Sequence, residues 1–349
     1  MKFDLSDEQK QMAETLDRYF AAVWDSQRLH AHLAGGGVLD RAGWRKMSEL
    51  GLFYMVSEPT QPGDPLALDA AVCAEQVGRH AVPGPVVPQM LAMAAIGRLQ
   101  SAGHRDTWLA ALGSGDAVAS FAFGKAGAPV LAPCARDADL LVIVDLADGH
   151  IWVHDLKRDG VAFGADRNLD LTRRASVVAP ADPPLHAEHV PGLRGWLRDL
   201  SRVLVAADAF GGASRCVEMA TDYASSRQQF GQPIGRFQGL KFQIADMAVE
   251  VEPWRALWWY AAHAIDVGRP DASRMACLAK AVITESYASV GRRTVEVFGG
   301  IGFTWDADVH IFLKRAMFDL VWPQTAHALY AEAAEERALA GIPVAGQTA

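Results

Sequence analysis

The 349-residue chain is half hydrophobic and about one-fifth charged, the balance of a globular protein with room for two or three domains and a sizeable core. A formal net charge of -8, with no basic stripe, excludes nucleic acid as the main partner. No apolar run approaches the roughly 18 residues of a membrane span, and "MKFDLSDEQKQM" lacks the apolar core of a signal peptide, so a cytoplasmic protein with no membrane partner is expected.

The first third reads as helical. Ser6 and Gln9 fit a capping box that opens a helix through Phe20. A second helix surrounds "RAGWRKMSELG", with Gly51 as its C-cap. "SEPTQPGDP" is a loop by its Pro and Gly content, and "ALDAAVCAEQVGR" returns to helix. "PGPVVPQMLAMAAIGRL" enters another helix after a Pro-rich turn. This helical domain, 1–113, ends near Gly113. From about Asp116 the texture changes. "AVASFAF", "LLVIVDL" and "IWVHDL" are short Val- and Ile-rich runs separated by turn residues, which is the pattern of strands. "DGH" at 148–150 marks a turn. The strands run to about Val178, and "APADPPLHAEHVPG" is a Pro-rich connector, giving a small β domain over 114–190.

The final segment, 191–349, is helical again. Residues 191–226 hold a long helix whose small residues, Ala206, Ala207, Ala209, Gly211 and Gly212, permit close helix approach. Then Phe237, Leu240, Ile244, Met247, Val251, Trp254 and Trp258 step by 3 and 4, the seam of a helical bundle. Pro253 interrupts this run, where it should kink the helix or remove a hydrogen bond, at roughly 3 kcal/mol. Asp271 caps a third helix through about Glu296, "FGGIGFTWD" ends it, and another follows from about Val309. The expected fold is α+β and mostly α: a helical domain, a small β domain and a C-terminal helical bundle.

Cys73, Cys134, Cys216 and Cys277 are far apart and form no CxxC motif, so buried free thiols are expected. The pairs His150/His154 and His186/His189 have loose ligand spacing but no third ligand, which favours a surface position over a metal.

The stretch "SSRQQFGQPIGRFQGLK", Ser225 to Lys241, crowds Arg227, Gln229, Phe230 and Arg236 into one corner between helices. Two readings stand. Either Arg227 caps carbonyls while Phe230 plugs the core, or the guanidinium and the N–H groups around Gly231 grip a phosphate. A second cluster, "EVFGGIGF", carries Gly299, Gly300 and Gly302, and a plain C-cap needs one glycine rather than three in four positions.

With "RQQFGQPIGRFQ" and "VFGGIGFTWDADVHIFLKRA" at these places, and "WRKMSELGL" and "AEQVGR" near the start, the chain resembles the acyl-CoA dehydrogenases over nearly its whole length. These flavin enzymes desaturate acyl-CoA thioesters. The resemblance implies an FAD held mainly by a neighbouring subunit, with electron-transfer flavoprotein as electron acceptor. Carried over, Arg227 pairs with the pyrophosphate, Phe230, Gly231 and Gln238 lie nearby, and Gly299, Gly300 and Gly302 let the backbone approach the cofactor.

The chain also departs from that pattern. The family's base, a Glu before a Gly-Thr pair, falls on about Pro323 in "LVWPQTAHAL". The alternative base position, beside an Arg matched to Arg255, falls on Trp254. Neither residue accepts a proton. Glu252 and Asp319 are near these positions and read as solvated helix charges. The segment "SFAFGKAGAPV" keeps few of the hydroxyls that contact the flavin ring in the family. Glu296 stands where the family often has Gln facing the pyrophosphate, so it is protonated, turned away, or compensated by Arg227, Arg292 or Arg293. The expectation is a chain without a catalytic residue that completes the site of a homologous catalytic subunit in an α2β2 heterotetramer. A homotetramer with an unusual base and a flavin-free binding protein are the alternatives.

Overall fold

Ser6 and Gln9 close the reciprocal cap expected of them: Gln9 N donates to Ser6 Oγ at 3.2 Å, and Ser6 N to Gln9 Oε1 at 2.9 Å. The cap opens α1, Asp7–Val23. The computed structural model describes residues 4–57, 66–125, 127–165 and 169–339. Apart from Ser57, the loop read in "SEPTQPGDP" lies outside the described residues. Helix α2, Ser26–Ala34, was not expected; Asp25 caps it by accepting from Arg28 N at 2.8 Å. Helix α3, Arg41–Ser48, ends before Gly51, whose N–H donates to Ser48 O in a left-handed turn of φ +75°. Helices α4, Leu66–Arg79, α5, Val86–Ile96, and α6, Ala102–Gly113, complete the first part. The sequence of α5 has no polar face, and every one of its residues is buried.

Seven short strands follow among the described residues. They are β1 Ala119–Phe123, β2 Val130–Pro133, β3 Leu140–Val144, β4 His150–Asp155, β5 Ala162–Phe163, β6 Ala175–Ala179 and β7 His186–His189. One sheet has the order β1-β3-β4-β7 and another β2-β6-β5. The three runs read as strands from sequence are β1, β3 and β4, and the turn at 148–150 joins β3 to β4 in an antiparallel hairpin. The Pro-rich connector hides a strand that the sequence reading missed. Its prolines flank His186–His189 rather than interrupting it, which leaves these four residues able to pair with the open edge of β4.

Helix α7, Leu193–Ser226, is the axis of the molecule and packs mainly on α4 and on α10, Ala272–Phe298. Its small residues have the expected role. A Cβ on Gly211 would lie 1.9 Å from Glu75 O, and one on Gly78 of α4 would lie 1.8 Å from Asp208 O. After α7 come a two-residue ladder, β8 Gln228–Gln229 and β9 Gln232–Pro233, then α8, Gln238–Val251, and α9, Trp254–Asp266. Pro253 therefore breaks the expected single helix in two. The seam along it is only partly covered: Met247, Val251 and Trp258 are buried, whereas Phe237 is exposed and Leu240, Ile244 and Trp254 are half-buried. Asp271 precedes α10 but does not cap it, because its carboxylate accepts from Tyr260 Oη at 2.7 Å and Arg269 Nε at 3.1 Å. Helices α11, Val309–Asp319, and α12, Ala326–Leu339, end the described chain.

A buried ionic cluster ties these parts together. Arg315 on α11 holds Asp208 on α7 with Nε at 3.1 Å and Nη2 at 2.5 Å, and donates to Thr172 Oγ1 at 2.9 Å. Arg173, beside β6, reaches Asp170 at 2.9 Å and Asp319 at 2.8 Å and donates to Arg315 O. Asp319 was expected to be a solvated helix charge; it is wholly buried, because α11 ends inside the bundle rather than at the surface. Burial pushes its carboxyl up to about 7, against the pull of Arg173. Glu252, by contrast, is an exposed helix charge paired with Arg255 at 3.0 Å.

Two outcomes follow from this packing. Gly78→Val forces a side chain into the α7 backbone and should destabilise the fold by about 3 kcal/mol or more, read by urea denaturation. Asp319 keeps its proton in the folded state to about pH 7 but loses it near pH 4 when unfolded, so its contribution to stability falls as pH rises through that window. Tm measured against pH should therefore show the native protein losing ground to Asp319→Asn between pH 4 and 7; a constant difference would contradict it.

Candidate functional site

Arg227 is the C-cap of α7, and its N–H donates to Tyr223 O at 2.8 Å. The chain then reverses through Phe230 and Gly231, at φ +51° and +77°, with Gln229 paired to Gln232. Positive φ at both turn positions is the geometry of a tight hairpin and explains Gly231. Phe230 is 90% exposed, so the core-plug reading fails; its ring meets only the edge of Phe237 at 6.0 Å. Arg227 is also exposed, and among the described residues its guanidinium makes no hydrogen bond or ion pair. Gln238 sits at the start of α8, which has no side-chain cap, so the first N–H groups of that helix are open to an acceptor.

The second glycine cluster stands at the same end of the bundle. Tyr223, in the last turn of α7, stacks on Phe298, the last residue of α10, with ring centroids 4.1 Å apart. This contact places the corner beside Gly299. Gly299 has φ +65°, and a Cβ on Gly299 or Gly300 would meet nothing within 4 Å, so both backbones face open space. Gly302 differs: it is buried, and a Cβ there would lie 2.8 Å from Val295 O. Its lack of a side chain is explained by the turn itself. Glu296 is exposed and leans to α8, where Gln243 Nε2 donates to it at 3.3 Å. Of the three arginines considered as its partners, Arg293 is committed to Glu250, Arg292 lies against Met317 Sδ, and Arg227 has no ion pair among the described residues.

The two positions expected for a base do not share a site. Pro323 lines a cleft of 720 Å³ with Phe123, Arg198, Ser201, Arg202 and Glu332. Trp254 is not there. Its neighbour Arg255 lines a separate cleft of 520 Å³ and pairs with Glu75 at 3.2 Å. The arginine that faces the Pro323 loop is Arg202, next to Ser201 on α7, so Trp254 is corrected as the alternative base position. Ser201 donates to Arg198 O at 2.6 Å.

The loop carrying Pro323 is tied down. Arg202 Nη2 donates to Gln324 Oε1 at 2.7 Å and to Glu332 Oε2 at 2.5 Å, Arg198 pairs with Glu332 at 2.7 Å, and Lys280 donates to the carbonyls of Leu320 and Gln324. Sequence reasoning did not foresee Glu332, although the four-residue spacing of Arg198 and Arg202 on a buried helix called for a carboxylate partner. Glu332 is a poor base. Burial favours its neutral form, but Arg202 and Arg198 outweigh that and hold it below the usual carboxylate range.

The remaining expectations resolve simply. Ser120, the one hydroxyl residue in "SFAFGKAGAPV", is fully buried and donates to Pro133 O at 2.6 Å, so it is not free for a ligand. All four cysteines are buried thiols rather than disulfides. No His, Cys, Asp and Glu cluster among the described residues could hold a metal. His154 is a correction: it is buried, with Nδ1 3.2 Å from Ala181 O, although alternation along β4 sets it on the face of the half-buried His150 and Trp152 rather than with Ile151 and Val153. No helix among the described residues is long and apolar enough to cross a membrane.

Residues 6–116 match the description "Acyl-CoA dehydrogenase, N-terminal domain", and residues 197–323 match "Acyl-CoA dehydrogenase, C-terminal domain". The chain is 31% identical to the acyl-CoA dehydrogenase IpdE2 of Mycobacterium tuberculosis over 318 residues, which span 89% of this chain and 91% of IpdE2. The chain belongs to the acyl-CoA dehydrogenase family. Solved structures share its fold. The ChsE4-ChsE5 complex of Mycobacterium tuberculosis superposes with a TM-score of 0.82 at 21% identity, covering 99% of this chain and 100% of that one. A variant of the Tcur3481-Tcur3483 steroid ACAD gives 0.83 at 24% identity, covering 97% and 99%. The expected order of helices, small sheets and helices is thus that of an acyl-CoA dehydrogenase.

Proposed function

We propose that this chain is the non-catalytic subunit of a heteromeric acyl-CoA dehydrogenase and completes a flavin site seated mainly in a homologous partner. The observation that carries the reading is Arg227: a guanidinium at a bundle corner, without a partner among the described residues, beside two open glycine backbones and an uncapped helix N-terminus. Together these offer a pyrophosphate a charged fork and several N–H donors. Phe230, Phe237, Phe242 and Phe303, in or next to the two motifs, are all exposed, and that exposure suits burial against another subunit.

The same residues fit FAD approached from outside better than FAD held by this chain alone. Arg227, Gln238 and the Gly299-Gly300 backbone would face the pyrophosphate, with Glu296 kept aside by Gln243. FAD held there would supply the two-electron acceptor for the β-carbon hydrogen of the thioester. This chain supplies no base for the α-proton. Pro323 has nothing to accept it, Arg202 and Ser201 offer no carboxylate, and Glu332 is neutralised by two arginines. Proton removal therefore falls to the partner, and this chain binds, orients and walls the interface. The substrate class is a bulky acyl-CoA thioester such as a steroid side-chain derivative, in keeping with the steroid ACAD among its structural relatives. Electron-transfer flavoprotein is the matching acceptor.

The test is flavin occupancy of the complex purified after co-expression with a Glu-bearing homologue. The native complex should be yellow and the chain alone colourless. Arg227→Ala should weaken flavin retention by about 1.5–3 kcal/mol, or roughly tenfold to a hundredfold. Unchanged occupancy, or a yellow active homotetramer of this chain alone, would refute the assignment.

A further inference from the structure

The cleft between α1, α2 and α3 lies away from the flavin corner and from the Pro323 loop. It encloses 440 Å³, within the range of small-molecule sites, and Tyr19, Trp24 and Trp44 form its ring walls. Both indoles are held. Trp24 meets His32 edge-on at 5.4 Å, and Trp44 stacks on Phe53 at 4.7 Å. Two polar atoms in these walls have no partner: Trp44 Nε1 and His32 Nε2 are buried and make no hydrogen bond among the described residues. Trp44 is only 2% exposed, so bulk water does not repair the loss.

The mouth of the cleft is cationic. Arg28 and Lys46 are both exposed; Arg28 reaches only Val23 O, at 3.5 Å, and Lys46 makes no ion pair among the described residues. The single carboxylate in the lining, Asp40, is engaged at the start of α3, accepting from Ala42 N at 3.0 Å. Burial and Arg174 keep His32 below the usual imidazole range, against the pull of Asp137 and Asp40, so its ring is neutral at pH 7.

We infer that this cleft binds a small aromatic anion, with its ring among Tyr19, Trp24 and Trp44 and its acid group toward Arg28 and Lys46. The site is independent of the flavin reading, since it uses none of the same residues.

Isothermal titration calorimetry of the purified full-length chain, with its partner where one is needed, decides the matter. The probes are 1-naphthoate and, as the uncharged control, 1-naphthalenemethanol. Naphthoate should saturate one site per chain and bind about tenfold or more tighter than the alcohol. Ala31→Trp fills the mouth from an exposed helix position and should abolish binding. Joint Arg28→Ala and Lys46→Ala should reduce naphthoate to the affinity of the alcohol, with circular dichroism unchanged. An absence of saturable heat, equal affinity for the two probes, or binding that survives Ala31→Trp would overturn the inference.

Discussion

Two arginines sealed among three aspartates decide how this protein is put together. Arg315 grips Asp208 in a two-pronged pair, and Arg173 spans Asp170 and Asp319 in the same dry volume. Such a cluster is weak evidence of net stability, because taking the charges from water costs about as much as their attraction returns. Its effect is on specificity: any arrangement that separates α7, α11 and the segment before β6 leaves a buried charge alone. The relative placement of the bundle and the small sheets follows from that constraint. So does the end of α11, which sets where the Pro323 loop begins.

From that fixed centre the glycine contacts work outwards. Gly78 and Gly211 bring α4 and α7 to backbone contact, and Gly212 leaves room for Tyr287 of α10. Close packing along α7 is what lets Tyr223 and Phe298 stack at its far end and bring the two glycine-rich motifs to one face. The interior is thus closed and rigid, while the motif residues project away from it. The Pro323 cleft belongs to the closed part, since Arg202, Glu332 and Lys280 fasten its loop from three helices. One end of the molecule is spent on its own integrity and the other is left for something outside.

Much of this was legible in the sequence. Helix periods, the Ser6 cap and the Val-rich strands depend on residues near each other in the chain, and they were read correctly. The family likeness implies that Arg227, Gly299 and Gly300 contact one cofactor; the Tyr223–Phe298 stack brings their two segments to one end of the bundle, and the contact itself is part of the proposal. What escaped depends on contacts across the chain. Strand β7 exists only because β4 offers it an edge. Asp319 looked like a surface charge until α11 was seen to end inside the bundle. The family likeness implied Trp254 as an alternative base position by matching an arginine to Arg255, but the arginine that meets the Pro323 loop is Arg202, some 50 residues earlier. Phe230 had two readings, and only the hairpin geometry turns it outward.

The central claim, that the Arg227 corner is a surface for another chain, is most directly tested at Phe230. A photo-crosslinking benzoylphenylalanine at that position, 90% exposed in the protomer, should on illumination join this chain to the co-expressed homologue in high yield. Bands confined to the single chain, with no bridged species in a complex that otherwise assembles, would contradict it.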